Sequence, residues 1–306
     1  MKNGKVHSEE WINDARQYWW NEDYINLILK RNNLLDINSM ADIGCGKGYM
    51  TFKFLPHLAN IKECFGRDIE QSHIDGANAI ASTCDTDATF DFKTASAYDI
   101  DIEDDKVDLA VCQTLLLHLD NPLKAINEMK RITKPGGTIM AIETNNSINS
   151  LVTNSFVGEN GIEQIENTDK TLRYLKYDLL IQKGIYALGE GFISLGDYVP
   201  KLFLEAGLKD IDVSIVDKAC ALIPPYDTKE KKARAKELLD WMDDSVADYD
   251  KEQMLKYYLA GGGDENEFNS IWEEKQKDTL KIKQAILDEK YIMPGGALMY
   301  IITGKK

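Results

Sequence analysis

Between Ser39 and Gly48 the chain reads Ser-Met-Ala-Asp-Ile-Gly-Cys-Gly-Lys-Gly: a short apolar run, an acid, and three glycines at alternate positions. A helical pattern follows at once, so the glycines sit in a strand-to-helix turn. Glycine lacks a Cβ and accepts positive φ, which leaves the main chain of such a turn open to a small ligand. Turns of this kind occur where parallel strands alternate with helices, with ligands at the carboxyl ends of the strands.

The rest of the chain fits that constraint. The patterning predicts strands near 39–43, 62–67, 89–94, 107–112 and 138–143, with helices near 49–58, 70–84 and 121–132 between them. A helix near 197–206, stopped by Gly207, and strands near 208–216 and 297–303 complete it. This is an α/β chain with a doubly wound, mostly parallel sheet of seven strands. Before it, Trp11, Ala15, Tyr18 and Trp19 fall on one helical face, and Tyr24, Leu27, Ile28, Leu34 and Leu35 continue helical spacing. Two stretches break the alternation. Residues 146–196 carry a helix marked by Leu172, Leu175, Leu179 and Leu180, and 224–294 are helical around the break Gly261-Gly262-Gly263. The expected organisation is a helical cap (1–38), a nucleotide-binding core (39–145), an insert or lid (146–196), core (197–223), a second helical insert (224–294) and a last core strand (295–306).

The loop discriminates among ligands. The dinucleotide fingerprint is G-x-G-x-x-G, with a pyrophosphate on the helix N-terminus. Here the third glycine, Gly48, comes one position early, and Tyr49 stands where that fingerprint has glycine. Asp42 lies just before the loop; a carboxylate beside a phosphate is repelled by about 4 kcal/mol at ~4 Å and an effective dielectric of ~20. S-adenosylmethionine (SAM) has no phosphate, and its ammonium and sulfonium are compatible with an acid. Another nucleotide, or an ordinary tight turn, is the competing reading. Asp68 ends the second strand about 20 residues past the loop, where a doubly wound fold places a carboxylate for ribose hydroxyls.

On these residues the chain resembles the class I SAM-dependent methyltransferases of small-molecule type, similar to the ubiquinone/menaquinone-type enzymes. The resemblance is densest from Met40 to Asn145. Asp42–Gly48 match the first motif, Asp68 the ribose acid, and Val107–Cys112 the fourth strand. Leu115–Leu119 with Asp120-Asn121-Pro122 match the segment after it, Lys134–Gly137 the turn before strand five, and Glu143 the end of that strand. The resemblance implies a Rossmann-like methyltransferase fold whose last strand is antiparallel. It also implies a cofactor site formed by Asp42, Gly44, Cys45, Gly46, Gly48, Asp68, Ile69, Ser96, Ala97, Tyr98 and Gln113. Ser96 departs from the family, replacing the acid that commonly reads the adenine amino group, so that contact passes to Ala97 or Tyr98. His73 falls where the family often lays a side chain against adenine; the alternative is a solvated helix position. Tyr18 or Trp19 would close the pocket over the sulfonium, to which an aromatic face offers about 0.5–2 kcal/mol; the plainer reading is packing.

Methyl transfer from a sulfonium needs positioning and water exclusion more than acid–base machinery, and no catalytic triad is visible. A base is required only for a protonated nucleophile. Glu143 and His118 are the candidates at the acceptor end. Glu143 would otherwise cap the following turn, and His118 would otherwise pack on its helix.

Composition narrows the partners. The chain has 36 Lys+Arg against 51 Asp+Glu, a net charge of −15, which disfavours a nucleic-acid substrate. No apolar run is long enough to span a membrane, and the N-terminal Met-Lys-Asn-Gly-Lys opens no secretory signal. The five cysteines, Cys45, Cys64, Cys84, Cys112 and Cys220, form no C-x-x-C pair, and the four histidines are scattered. Reduced thiols, a cytoplasmic setting and no metal site are expected. The expected function is methyl transfer from SAM to a small molecule. The competitors are an NAD-type oxidoreductase, a catalytically silent SAM-binding protein, and a methyltransferase acting on RNA or protein. The last is disfavoured because no N-P-P-Y or D-P-P-Y tetrapeptide follows strand four.

Overall fold

The computed structural model describes residues 14–149, 167–242 and 251–306. They form two compact units. One comprises Trp20–Thr144, Leu195–Asp217 and Met299–Lys306; the other takes the chain up to Trp19, Asn145–Ser194 and Lys218–Leu298. Trp20–Asn38, expected with the N-terminal cap, thus group with the sheet.

The first unit holds seven strands: β1 (Ser39–Ile43), β2 (Glu63–Asp68), β3 (Thr89–Thr94), β4 (Val107–Gln113), β5 (Thr133–Thr144), β6 (Lys209–Ile215) and β7 (Met299–Lys305). Their order is β3-β2-β1-β4-β5-β7-β6. β1 to β5 pair in parallel and β7 runs antiparallel to both β5 and β6. β1 is buried along its whole length, as a central parallel strand covered on both faces must be. The helices of this unit are α1 (Glu22–Arg31), which precedes β1, and α2 (Tyr49–Phe54), α3 (Gln71–Ala81), α4 (Pro122–Ile132) and α5 (Val199–Glu205) between strands.

Local chemistry sets the boundaries. Asn121 caps α4, its side chain accepting the Lys124 amide at 3.2 Å, and Pro122 opens the helix where its missing N–H costs nothing. Gly207 stops α5 at φ +73, with the Leu208 amide reaching back to Phe203 O. α1 is shorter than its apolar spacing suggests. It ends at Arg31 because Asn33 takes φ 56 and the Leu34 amide closes onto Leu29 O, so Leu34 and Leu35 lie beyond it. Lys134–Gly137 loop out within β5, where the register jumps from Val107↔Thr133 to Leu109↔Thr138.

In the second unit Trp11 lies outside the described residues, and Asp14–Tyr18 form a 3-10 turn. The long helices are Thr168–Ala187, Lys229–Trp241, Lys251–Ala260 and Glu265–Leu287. The first buries Tyr174, Tyr177, Ile181 and Ile185, while Leu172 and Leu179 are exposed. Its apolar face is therefore not the leucine face: the two tyrosines bring more surface to the cluster with Tyr258 and Phe268. A Cβ on Gly184 would lie 1.8 Å from Tyr257 O, and one on Gly261 2.0 Å from Leu180 O. Glycine at both positions is what lets these two helices meet backbone to backbone.

Candidate active site

All three glycines of the first turn have positive φ: 67° at Gly44, 52° at Gly46 and 80° at Gly48. The loop is tied to β2. The Gly44 and Cys45 amides donate to Arg67 O at 2.7 and 3.0 Å, and the Gly46 amide donates to Asp68 Oδ2 at 2.8 Å. Lys47, the loop's cation, is exposed and its stem neighbours Gly76 of α3.

Asp42 is buried, and its Oδ2 accepts both the amide and the hydroxyl of Thr51 at 3.1 Å. It thereby caps α2, whose own N-cap, Gly48, has no side chain to do so. Burial lifts the Asp42 carboxyl to about 7, against the pull of the Thr51 bonds.

Asp68 behaves oppositely. Burial alone would raise it, but His73, the Glu70 amide and the Gly46 amide hold it below the ordinary carboxylate value. His73 Nδ1 lies 3.2 Å from Asp68 Oδ1, and the Glu70 amide reaches the same oxygen at 3.0 Å. His73 is buried against the acid, so it is not a solvated helix residue. Ile69, next along, leaves 64% of its surface exposed, an apolar platform beside the acid. After β3, Ser96 Oγ accepts the Tyr98 amide at 3.2 Å, and the half-buried Ala97 lies between them. The Tyr98 hydroxyl is engaged by Asp120 and the Asn121 amide.

β4 ends on Gln113, which is buried; its Nε2 faces Met299 Sδ at 3.9 Å, and among the described residues its Oε1 has no hydrogen-bond partner. Thr114 follows at φ 48, a strained value for a β-branched residue and one that concentrates at functional sites. Glu143 is fully buried and caps the neighbouring turn rather than its own. Its Oε1 accepts the Leu115 and Leu116 amides at 3.0 and 2.7 Å, holding the 3-10 turn Leu116–His118. Among the described residues its Oε2 has no hydrogen-bond partner, and burial raises the acid to about 8. His118 is exposed at the end of that turn.

The sheet edge thus brings together the glycine loop, Asp68, Ile69, Ser96–Tyr98, Gln113 and Glu143. Tyr18 and Trp19 belong to the other unit, where they line a crevice with Cys220, Glu230 and Arg234; the Arg16 guanidinium lies 4.9 Å from the Trp19 ring. Sequence reasoning missed the buried partnership of His73 with Asp68, five residues apart. It also missed Arg67, whose guanidinium is buried beneath the same strand end and paired with Asp91 and Asp101. An arginine directly before the strand-ending acid was the available signal. Among the described residues no cluster of His, Cys, Asp and Glu could hold a metal, and no helix is long and apolar enough to cross a membrane.

Residues 41–141 match the family model described as a methyltransferase domain. An uncharacterized methyltransferase of Schizosaccharomyces pombe is 30% identical over 109 residues, 34% of this chain and 39% of that one. The ubiquinone biosynthesis O-methyltransferase of Vibrio cholerae is 25% identical over 126 residues, 41% of this chain and 50% of that one. The chain thus spans about half or less of these curated relatives. Among solved structures, the [4+2]-cyclase SpnF superimposes with a TM-score of 0.50 at 17% identity, over 93% of this chain and 80% of that one, a likeness of fold. The strand order and the glycine loop fall where this match does, so residues 41–141 carry the pattern of a methyltransferase domain.

Proposed function

We propose that this protein transfers a methyl group from SAM to a small-molecule acceptor. The observation that carries the reading is the junction of Gly46 with Asp68, which sets bare main chain and an ionised acid side by side at the sheet edge. The residues present fit the cofactor. Asp68 offers a carboxylate to ribose, the exposed Ile69 an apolar surface to adenine, and Ser96, Ala97 and Tyr98 line the adenine side. Gln113 Oε1, buried and without a partner among the described residues, is an acceptor suited to the ammonium of the methionine part. Gly44, Cys45, Gly46 and Gly48 admit the ligand to the backbone, and Asp42 holds α2 in place behind them. Bound here, SAM would supply a methyl group already activated for in-line displacement. The chain's own contribution is orientation, worth roughly 7–11 kcal/mol in well-aligned systems, and exclusion of water.

At the acceptor end Glu143 is held mainly protonated at neutral pH by its burial. It acts as a base only when a cationic or hydrogen-bonding acceptor draws its proton away, and His118 stands at the mouth of the same turn. Cytoplasmic residence and a site without metal belong to the same reading. Titration calorimetry with S-adenosylhomocysteine tests it: micromolar binding to the wild type and a loss of about tenfold or more in Asp68→Ala are expected. Unchanged affinity in that variant would refute the ribose assignment.

A further inference from the structure

We infer that His73 is a positioning residue for the nucleoside, fixing which oxygen of Asp68 faces the ribose. The inference rests on the reading of Asp68 as the ribose acid. An ionised carboxylate only accepts hydrogen bonds, so His73 Nδ1 carries the hydrogen that spans 3.2 Å to Oδ1. The Glu70 amide occupies the same oxygen at 3.0 Å, and the Gly46 amide takes Oδ2 at 2.8 Å. A carboxylate has about four lone-pair sites. Two donors fill Oδ1 and one occupies Oδ2, so the remaining site lies on Oδ2, the oxygen beside the glycine loop. The three donors come from three segments: the loop, the turn after β2, and α3. His73 is 2% exposed and lies on the buried face of α3 with Ile74 and Ala77, so its ring is held by packing as well as by the acid. Without it Oδ1 regains a free lone pair, so a ribose hydroxyl can settle on either oxygen of an acid still held by the Glu70 and Gly46 amides.

The test compares S-adenosylhomocysteine with its 2′,3′-dideoxy analogue in wild type, His73→Leu and His73→Asn. Leucine keeps apolar volume and removes the donor; asparagine places an amide N–H near the position of Nδ1. Wild type should prefer the hydroxylated ligand. His73→Leu should bind S-adenosylhomocysteine about tenfold more weakly and the analogue within about twofold of wild type. His73→Asn should recover most of the preference, and it carries the test if the leucine variant does not fold. Equal losses for both ligands in His73→Leu would show a merely structural residue and overturn the inference, as would a folded His73→Asn that has lost the preference. A wild type that binds both ligands equally would overturn the ribose reading itself, and the inference with it.

Discussion

Arg67 holds the glycine loop with one end and the sheet with the other. Its carbonyl accepts the Gly44 and Cys45 amides, while its guanidinium pairs with Asp91 at 2.9 Å and with Asp101. Arg67→Met should destabilise the protein by about 2–3 kcal/mol in urea unfolding, less than a fully buried pair, because Asp91 and Asp101 are partly exposed and can rehydrate. It should also weaken S-adenosylhomocysteine binding. Full affinity in a destabilised variant would separate the clamp from the loop.

Gly48 and Gly136 share left-handed backbone but not surroundings. A Cβ on Gly48 would fall 2.5 Å from the Phe52 ring, whereas one on Gly136 meets nothing within 4 Å among the described residues. Gly136→Ala should cost about 1–2 kcal/mol from backbone strain alone. Gly48→Ala should cost more by a further ~1–3 kcal/mol and lower cofactor affinity, as measured by denaturant unfolding and calorimetry. Equal costs would contradict the packing described for the loop.

The two raised acids give stability a direction with pH. Asp42, lifted to about 7, and Glu143, lifted to about 8, keep protons in the folded chain that the unfolded chain has already lost. Stability should therefore fall as pH rises from about 5 to 8, by up to ~1.4 kcal/mol per pH unit for each proton involved. Glu143→Gln should flatten that slope. Asp68, Asp91 and Asp108, whose values are lowered, contribute stability that disappears only in more acidic solution, outside this window. A slope unchanged in Glu143→Gln, followed by urea unfolding from pH 5 to 8.5, would contradict the assignment.

In the helical unit, Gly184→Ala should destabilise by about 2–3 kcal/mol, since the new methyl meets the Tyr257 carbonyl. Hydrogen exchange should rise in Thr168–Ala187 and Lys251–Ala260. Gly189→Ala, at φ +73 with no described residue within 4 Å of the new methyl, should cost about 1 kcal/mol. Equal effects would deny the close approach of the two helices.

The sheet was readable because buried parallel strands must be continuous apolar runs and their turns must carry glycine. The strands lie within two residues of expectation except β5, where the Lys134–Gly137 loop falls inside the strand's bounds. The helical stretches were read less well: leucine spacing pointed to one face of Thr168–Ala187, but the tyrosines fill the core there. At the site, residue types were legible and partnerships were not. Nothing local says that Asp42 reaches Thr51, that Glu143 caps a turn on a neighbouring strand, or that His73 faces Asp68. Each depends on tertiary placement and on which buried polar atom must be satisfied.

The central claim is that the sheet edge accepts a phosphate-free, positively charged nucleoside. Thermal unfolding of the intact chain with SAM, S-adenosylhomocysteine, NAD and NADP tests it most directly. A ligand at a hundredfold excess over its Kd stabilises by about 2.7 kcal/mol. The account predicts a clear upward shift with SAM and S-adenosylhomocysteine and none with NAD or NADP; a shift with NAD or NADP alone would contradict it.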